Sequence, residues 1–329
     1  MVFDLADALP ASLAVLSAEV EADVAELRTI ARAAADASRA PSTERAYATD
    51  WRDFSAFALR VCRERMPAEP ETVALYVADL RRRGRRPATI ARKLAAIAVY
   101  HRSVGHHSPA EHDVVRAVVR GTRRELGVAQ RQSTALSLDG LTRVLAAIPD
   151  DVRGLRDRAL LLVGWAAALR RSELVGINFE DLRFEEEGLV IHIRRSKTDQ
   201  ESAGDKVAIV MGSEAKTCPV TSLRRWLEMS GIRSGPVFRR VRRGGAVGSV
   251  ALTGYAVALV AAARAAEAGL EGDFAGHSLR SGFATAAARA GSSERAIMRH
   301  GRWRDSTSAR RYVRDGNRWE DNPTSKIGL

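Results

Sequence analysis

His277-Ser278-Leu279-Arg280, Gly301-Arg302-Trp303 and Arg311-Tyr312-Val313-Arg314 follow one another in the last third of the chain. The histidine and the arginine stand three residues apart, a spacing that puts both side chains on one face of a helix, and the tyrosine lies nine residues beyond the tryptophan. Singly, each of these residues reads as ordinary packing. The reading of the fold turns on whether the rest of the chain supplies partners for them.

The chain has 329 residues, comfortable for two domains, and 46% hydrophobic residues, enough for globular cores. Its formal charge of +12 favours a polyanionic partner, nucleic acid first, although a generally basic solvated surface has the same composition. Aromatic residues make up 5%, too few for a platform that stacks single-stranded bases, so duplex phosphates are the expected target. Cys62 and Cys218 lie far apart without metal spacing and read as buried free thiols in a reducing compartment. The first thirty residues carry acids at Asp4, Asp7, Glu19, Glu21 and Asp23. A basic lead into an apolar core is missing, and no apolar run reaches membrane-spanning length, so the expectation is a cytoplasmic protein with no membrane partner.

Upstream of the opening stretch the apolar spacing is helical. Residues 1–11 read as a flexible N-terminus. Leu13, Leu16, Val20, Val24, Leu27 and Ile30 recur at helical intervals over 12–37. Pro41-Ser42 breaks the chain and offers an N-cap. Helices are predicted over 43–65, 71–83 and 88–104, with another within 109–126. Together they form an all-α unit over 12–126. The polar run 127–137 reads as a linker, followed by helices over 138–148 and an apolar 155–168. Gly188-Leu189-Val190-Ile191-His192-Ile193 and Lys206-Val207-Ala208-Ile209-Val210 are rich in β-branched residues. They predict a hairpin around Ser196-Lys197-Thr198-Asp199. Helices over 221–229 and 253–268 complete a second domain over 138–315, and 316–329 is a tail. The fold class is therefore mainly α with a small β-sheet.

In the first unit Arg81, Arg82, Arg83, Arg85, Arg86, Arg92 and Lys93 cluster around a Gly-Arg-Arg-Pro turn. A solvated helix end explains Arg81 to Arg83. Arg92 and Lys93, on the helix after the turn, suit a helix entering a DNA groove with turn residues on phosphate. Arg45, Arg83, Arg85, Arg86, Arg92 and Lys93 are the expected DNA contacts here, with Arg310 and Arg311 near the tyrosine.

The chain shows no metal-ligand spacing and no phosphate-binding glycine loop. If it transfers phosphodiester strands, side chains must hold the non-bridging oxygens, and the planar fork of arginine matches them. Leu169-Arg170-Arg171-Ser172-Glu173-Leu174 places an arginine beside an apolar helix, with a carboxylate three residues on to orient it.

With these residues in place, the chain resembles the tyrosine recombinases, the phage integrase family, and within it the Cre recombinase branch, over roughly 20–315. The resemblance implies a SAM-like helical core-binding domain and an α+β catalytic domain that form a C-shaped clamp on DNA. It puts Tyr312 at the nucleophile, Arg170 and Arg280 at the phosphate clamps and Glu173 at the conserved acid. His277 manages the tyrosine proton, and Lys197 in the hairpin is the general acid for the 5′ oxygen. Counting back nine from Tyr312 reaches Trp303, not His300, so an indole stands where the common family form has a histidine. An indole donates to phosphate but cannot titrate. The family further implies a 3′-phosphotyrosine intermediate, independence of metal, ATP and other cofactors, and a Holliday junction. Its partners would be double-stranded DNA with inverted-repeat sites and other copies of the chain: a monomer in solution, a homo-tetramer on DNA. Leu252-Thr253-Gly254-Tyr255 departs from that branch's basic reading helix, so no target sequence carries over. Two other readings share the pattern: a type IB topoisomerase-like enzyme, and a catalytically silent DNA-binding regulator.

Overall fold

The structure, a computed structural model, describes residues 18–37, 40–127, 133–194 and 204–316, together with Thr324 and Ile327. The chain divides into two compact units, Met1–Gln130 and Arg131–Leu329. The sequence-predicted N-terminus over 1–11, residues 128–132 of the linker, Lys197 and nearly all of the tail lie outside the described residues.

The first unit is helical: α1 (Ala18–Ala37), α2 (Pro41–Arg60), α3 (Pro70–Arg82), α4 (Pro87–Ser103) and α5 (Asp113–Leu126). Proline opens α2, α3 and α4, where its missing N–H leaves no helical bond unmade. At α2 the N-cap is Ala40 and Pro41 stands in the first turn, so Ser42 does not cap the helix. Phe54 and Phe57 of α2, Val73, Tyr76, Val77 and Leu80 of α3, Ile90 and Ile97 of α4, and Val115 of α5 form one core. Val20, Leu27 and Ile30 of α1, spaced as a buried face, are exposed.

Two expectations fail here. Cys62 is exposed, because it sits just past the end of α2 at φ +53, where the chain turns away from the core. Lys93 is buried. Its ammonium lies 3.0 Å from Asp50 and 2.7 Å from Asp53, so it serves as an internal counter-ion. Tyr76 donates to Asp53 at 2.6 Å, and Arg83 bonds the same carboxylate. Burial opposes ionisation of Asp53, but Arg83, Lys93 and Tyr76 outweigh it and hold its pKa far below the usual carboxylate range.

The second unit contains α6 (Leu138–Ala147), α7 (Val152–Ala166), the short α8 (Arg171–Val175), α9 (Pro219–Ser230), α10 (Gly254–Glu267), α11 (Gly276–Arg289), α12 (Glu294–Gly301) and α13 (Ser306–Gly316). The strands are β1 (Leu182–Phe184), β2 (Gly188–Ile193), β3 (Asp205–Val210), β4 (Arg239–Val241) and β5 (Val247–Ala251). They form an antiparallel sheet of order β1-β2-β3 and a separate β4-β5 ribbon. Leu189 pairs with Ile209 and Ile191 with Val207. All four are buried, which fixes the register, since a one-residue slip would turn them to solvent.

α7 runs through the middle of this unit, and Leu155, Ala159, Leu160, Leu161, Leu162 and Val163 are all buried. Gly164 admits Leu174 of α8 and Leu279 of α11; a Cβ there would stand 2.9 Å from both side chains. The Arg170–Glu173 segment and α11 are thus drawn onto the same end of α7. Asp157 of α7 is buried between Arg156 and Arg264, which satisfies a charge that would be costly alone.

Candidate active site

Ala275 caps the start of α11, and its backbone N–H donates to Ser278 Oγ at 2.9 Å. A Cβ at Gly276 would stand 2.1 Å from the Arg171 side chain, so a side chain here would push Arg171 away. This start projects His277 and Arg280 from one helical turn. The third contributor, α13, is amphipathic: Tyr312 and Val313 pack with Trp303 against Ala284, Ala288 and Ile297. His277 Nε2 and the Tyr312 hydroxyl end 2.6 Å apart.

Arg280 is buried to 1% exposure. Its Nη1 donates to the Ala168 carbonyl at 2.5 Å, and its guanidinium carbon lies 3.9 Å from the centre of the Trp303 ring, a cation–π contact. Among the described residues, Arg280 Nη2 is buried without a partner. An unpaired buried donor is expensive and fits an anionic oxygen brought by a substrate. Ala168 stands at φ +48, an unusual conformation for a residue with a Cβ. Burial, reinforced by Arg170, pulls the Arg280 pKa below the ordinary guanidinium value.

Arg170 precedes α8. Its side chain donates to Glu173 Oε1 at 2.6 Å and its backbone N–H to Oε2 at 2.9 Å. The Glu173 side chain has no solvent exposure. Burial raises its pKa, but the Arg170 N–H, Arg302 and the Arg170 side chain together bring it below the usual value, so it is ionised. Arg302 supplies another contact, from Nη2 to Oε2 at 3.1 Å.

Burial lowers the His277 pKa, and Arg280, Arg170 and Arg171 lower it further. The imidazole is therefore neutral near pH 7. Burial raises the Tyr312 pKa and outweighs the opposing Arg311 and Arg280. Flanking arginines favour the phenolate, but in the fold burial wins and the hydroxyl keeps its proton at rest. Arg310 is also partly diverted, since its Nε meets Glu294 at 3.0 Å. A neutral imidazole against a protonated phenol can take up the proton as the oxygen forms a bond.

The structure therefore brings Arg170, Glu173, His277, Arg280, Trp303 and Tyr312 together. Lys197 falls outside the described residues. His300 is kept out: its Nε2 contacts the Ala166 carbonyl at 2.7 Å and its ring stacks on Phe283. Arg45, Arg85 and Arg86 are exposed in the first unit. Arg83 is held by Asp53 and Asp79, and Arg92 by Asp50. Missed in the sequence were the Ala167 and Ala168 carbonyls and Arg302, to which the sequence reading gave no role. One signal pointed to it: an arginine directly after a glycine that ends an amphipathic helix.

A tyrosine hydroxyl beside a neutral imidazole, flanked by arginines with a donor to spare, defines the class of site that can transfer a phosphoryl group to tyrosine. A model of the Phage integrase family matches residues 135–318. The integrase/recombinase xerD homolog of Selenomonas ruminantium is 38% identical over 296 residues, covering 88% of this chain and 86% of the relative. Recombinase cre of Escherichia phage P1 is 30% identical over 285 residues, covering 80% and 81%. Among solved structures, a lambda integrase (75–356) dimer bound to a COC′ core site shares the fold with a TM-score of 0.62 at 17% identity, covering 90% of this chain and 96% of that one. The chain belongs to the phage integrase family, the tyrosine recombinases, and is by class an enzyme of DNA strand transfer.

Proposed function

We propose that the chain is a site-specific recombinase in which Tyr312 cuts and rejoins duplex DNA. The 2.6 Å contact between the Tyr312 hydroxyl and His277 carries this reading. Arg280 Nη2 and Arg170 take the non-bridging oxygens of the scissile phosphate, and the Trp303 indole N–H adds a donor. His277 receives the phenolic proton as the Tyr312 oxygen bonds to phosphorus. The 5′ oxygen leaves with a proton from Lys197, and a 3′-phosphotyrosine keeps the energy of the broken ester for rejoining. No metal, nucleotide or other cofactor has a part in these steps. Arg45, Arg85, Arg86 and Arg311 contact phosphates away from the scissile position.

Exchange between two duplexes requires two such cuts on each, which a homo-tetramer on inverted-repeat sites supplies through a Holliday junction. The recombinase relatives, the DNA-bound lambda integrase of the same fold and the basic charge of +12 support DNA as the partner. The test begins with a duplex selected from a randomised library by SDS-stable capture on the wild-type chain. Plasmids carrying two copies of it should recombine, and Tyr312→Phe should bind with unchanged affinity yet neither cleave nor recombine. Relaxation of single-site plasmids without exchange between paired sites would favour the topoisomerase-like reading. A Tyr312→Phe protein that still recombines would exclude this site.

A further inference from the structure

Arg302 is a charged residue where neither charge nor a side chain is expected. It ends α12 in the left-handed conformation, φ 58 and ψ 44, which favours glycine. Its guanidinium is nevertheless buried. Nη1 donates to the His300 carbonyl at 2.9 Å, both terminal nitrogens lie 3.4 Å from the Ala167 carbonyl, and Nη2 reaches Glu173 at 3.1 Å. Among the described residues, Nε is buried with no partner. A strained backbone and an unpaired buried donor at one residue are costs that folds retain at working sites.

Two consequences follow from this placement. The left-handed turn sends the Arg302 side chain inward and folds Trp303 back over Gly301, where a Cβ would stand 1.8 Å from the indole. From there the indole covers Arg280. The second consequence is electrostatic. Glu173 would cancel most of the charge of Arg170 if the two were paired alone. Shared with Arg302, its single negative charge faces two guanidinium groups in a poorly screened interior.

We propose that Arg302 is a positioning residue for strand cleavage: from behind the site it shares Glu173, leaving Arg170 net cationic toward the scissile phosphate, and its backbone turn sets Trp303 over Arg280. This rests on the reading of Tyr312 as the nucleophile. The effect of Arg302 extends to Arg280 and His300, whose pKa values it helps to lower.

The test uses the full chain and a duplex selected by SDS-stable capture on the wild type, nicked to trap the covalent product. Arg302→Gly removes the charge and relieves the backbone; Arg302→Lys keeps a charge without the fork. Cleavage rate, Kd for DNA and unfolding midpoint are measured for each. Arg302→Gly should bind within about threefold of wild type and cleave roughly a hundredfold more slowly. Arg302→Lys should recover part of that loss. On a duplex with a neutral methylphosphonate at the scissile position, which needs less positive charge, the deficit of Arg302→Gly should shrink about tenfold. A purely structural role predicts the same deficit on both duplexes, and that result overturns the proposal, as does wild-type cleavage by Arg302→Gly. If the wild-type chain captures no duplex, the nucleophile reading fails and this proposal falls with it.

Discussion

Tyr312 and His277 are thirty-five positions apart in the chain, yet their relation was partly legible. Three-residue spacing places His277 and Arg280 on one helical face, which is local geometry; the nine-residue count that selects Trp303 over His300 comes from the family resemblance. His300 in the fold faces the Ala166 carbonyl and Phe283, away from Tyr312. The burial of Lys93 and Arg302 was not legible. A basic residue reads as exposed until its counter-charge is located, and Asp50, Asp53 and Glu173 lie 40 or more positions away. The direction of the His277 shift fixes a pH dependence. Its folded pKa lies below the ordinary 6.5, so the imidazole accepts a proton above that range and loses this capacity as pH falls through it. Cleavage should therefore persist at about pH 6.5 and decline only at lower pH, and His277→Gln should cleave slowly with that acid limb flattened. Single-turnover cleavage rates across pH 5 to 8 check both.

At the scale of elements, long helices with regular apolar spacing were readable to within a few residues. β2 and β3 were readable because their runs are rich in β-branched residues. β1, β4 and β5 span three to five residues, too short for a period to register, and they exist because neighbours supply the pairing. α11 owes its position to a close approach: a Cβ at Gly282 would lie 1.9 Å from the Leu136 carbonyl oxygen. Gly282→Ala should destabilise the second unit by about 1–3 kcal/mol and slow cleavage, since the same helix carries His277 and Arg280. Thermal unfolding beside a cleavage assay separates the two effects. In the first unit, His101 of α4 is fully buried. Nδ1 meets the Ile97 carbonyl at 2.8 Å, and Nε2 accepts the Ala68 N–H at 3.0 Å, which requires the neutral ring. Burial lowers its pKa, so the unfolded chain binds the proton more readily. The stability of this unit should be complete above about pH 6.5 and fall as pH drops below it. His101→Ala should remove that dependence at a cost of about 1–3 kcal/mol, measured by denaturant unfolding at pH 5 and 8.

For the whole molecule, a net charge of +12 does not say which cations meet DNA. The structure separates exposed cations from those tied into carboxylates. Lys93 is tied into carboxylates, whereas Arg85 and Arg86 are exposed in the turn before α4. Arg85→Ala and Arg86→Ala should each lower the slope of log Kobs against log salt by about one. Lys93→Met should leave that slope unchanged and cost about 3 kcal/mol of stability, because it strands buried carboxylates. Fluorescence anisotropy between 50 and 200 mM salt distinguishes the two kinds of residue. Among the described residues, no helix is long and apolar enough to cross a membrane, and the family places the partner on DNA. The central claim is the covalent step. A nicked duplex selected by the chain, trapped, digested and read by peptide mass spectrometry, should carry the DNA through a 3′-phosphate on Tyr312. An adduct on any other residue, or none from a chain that binds the duplex, would contradict the account.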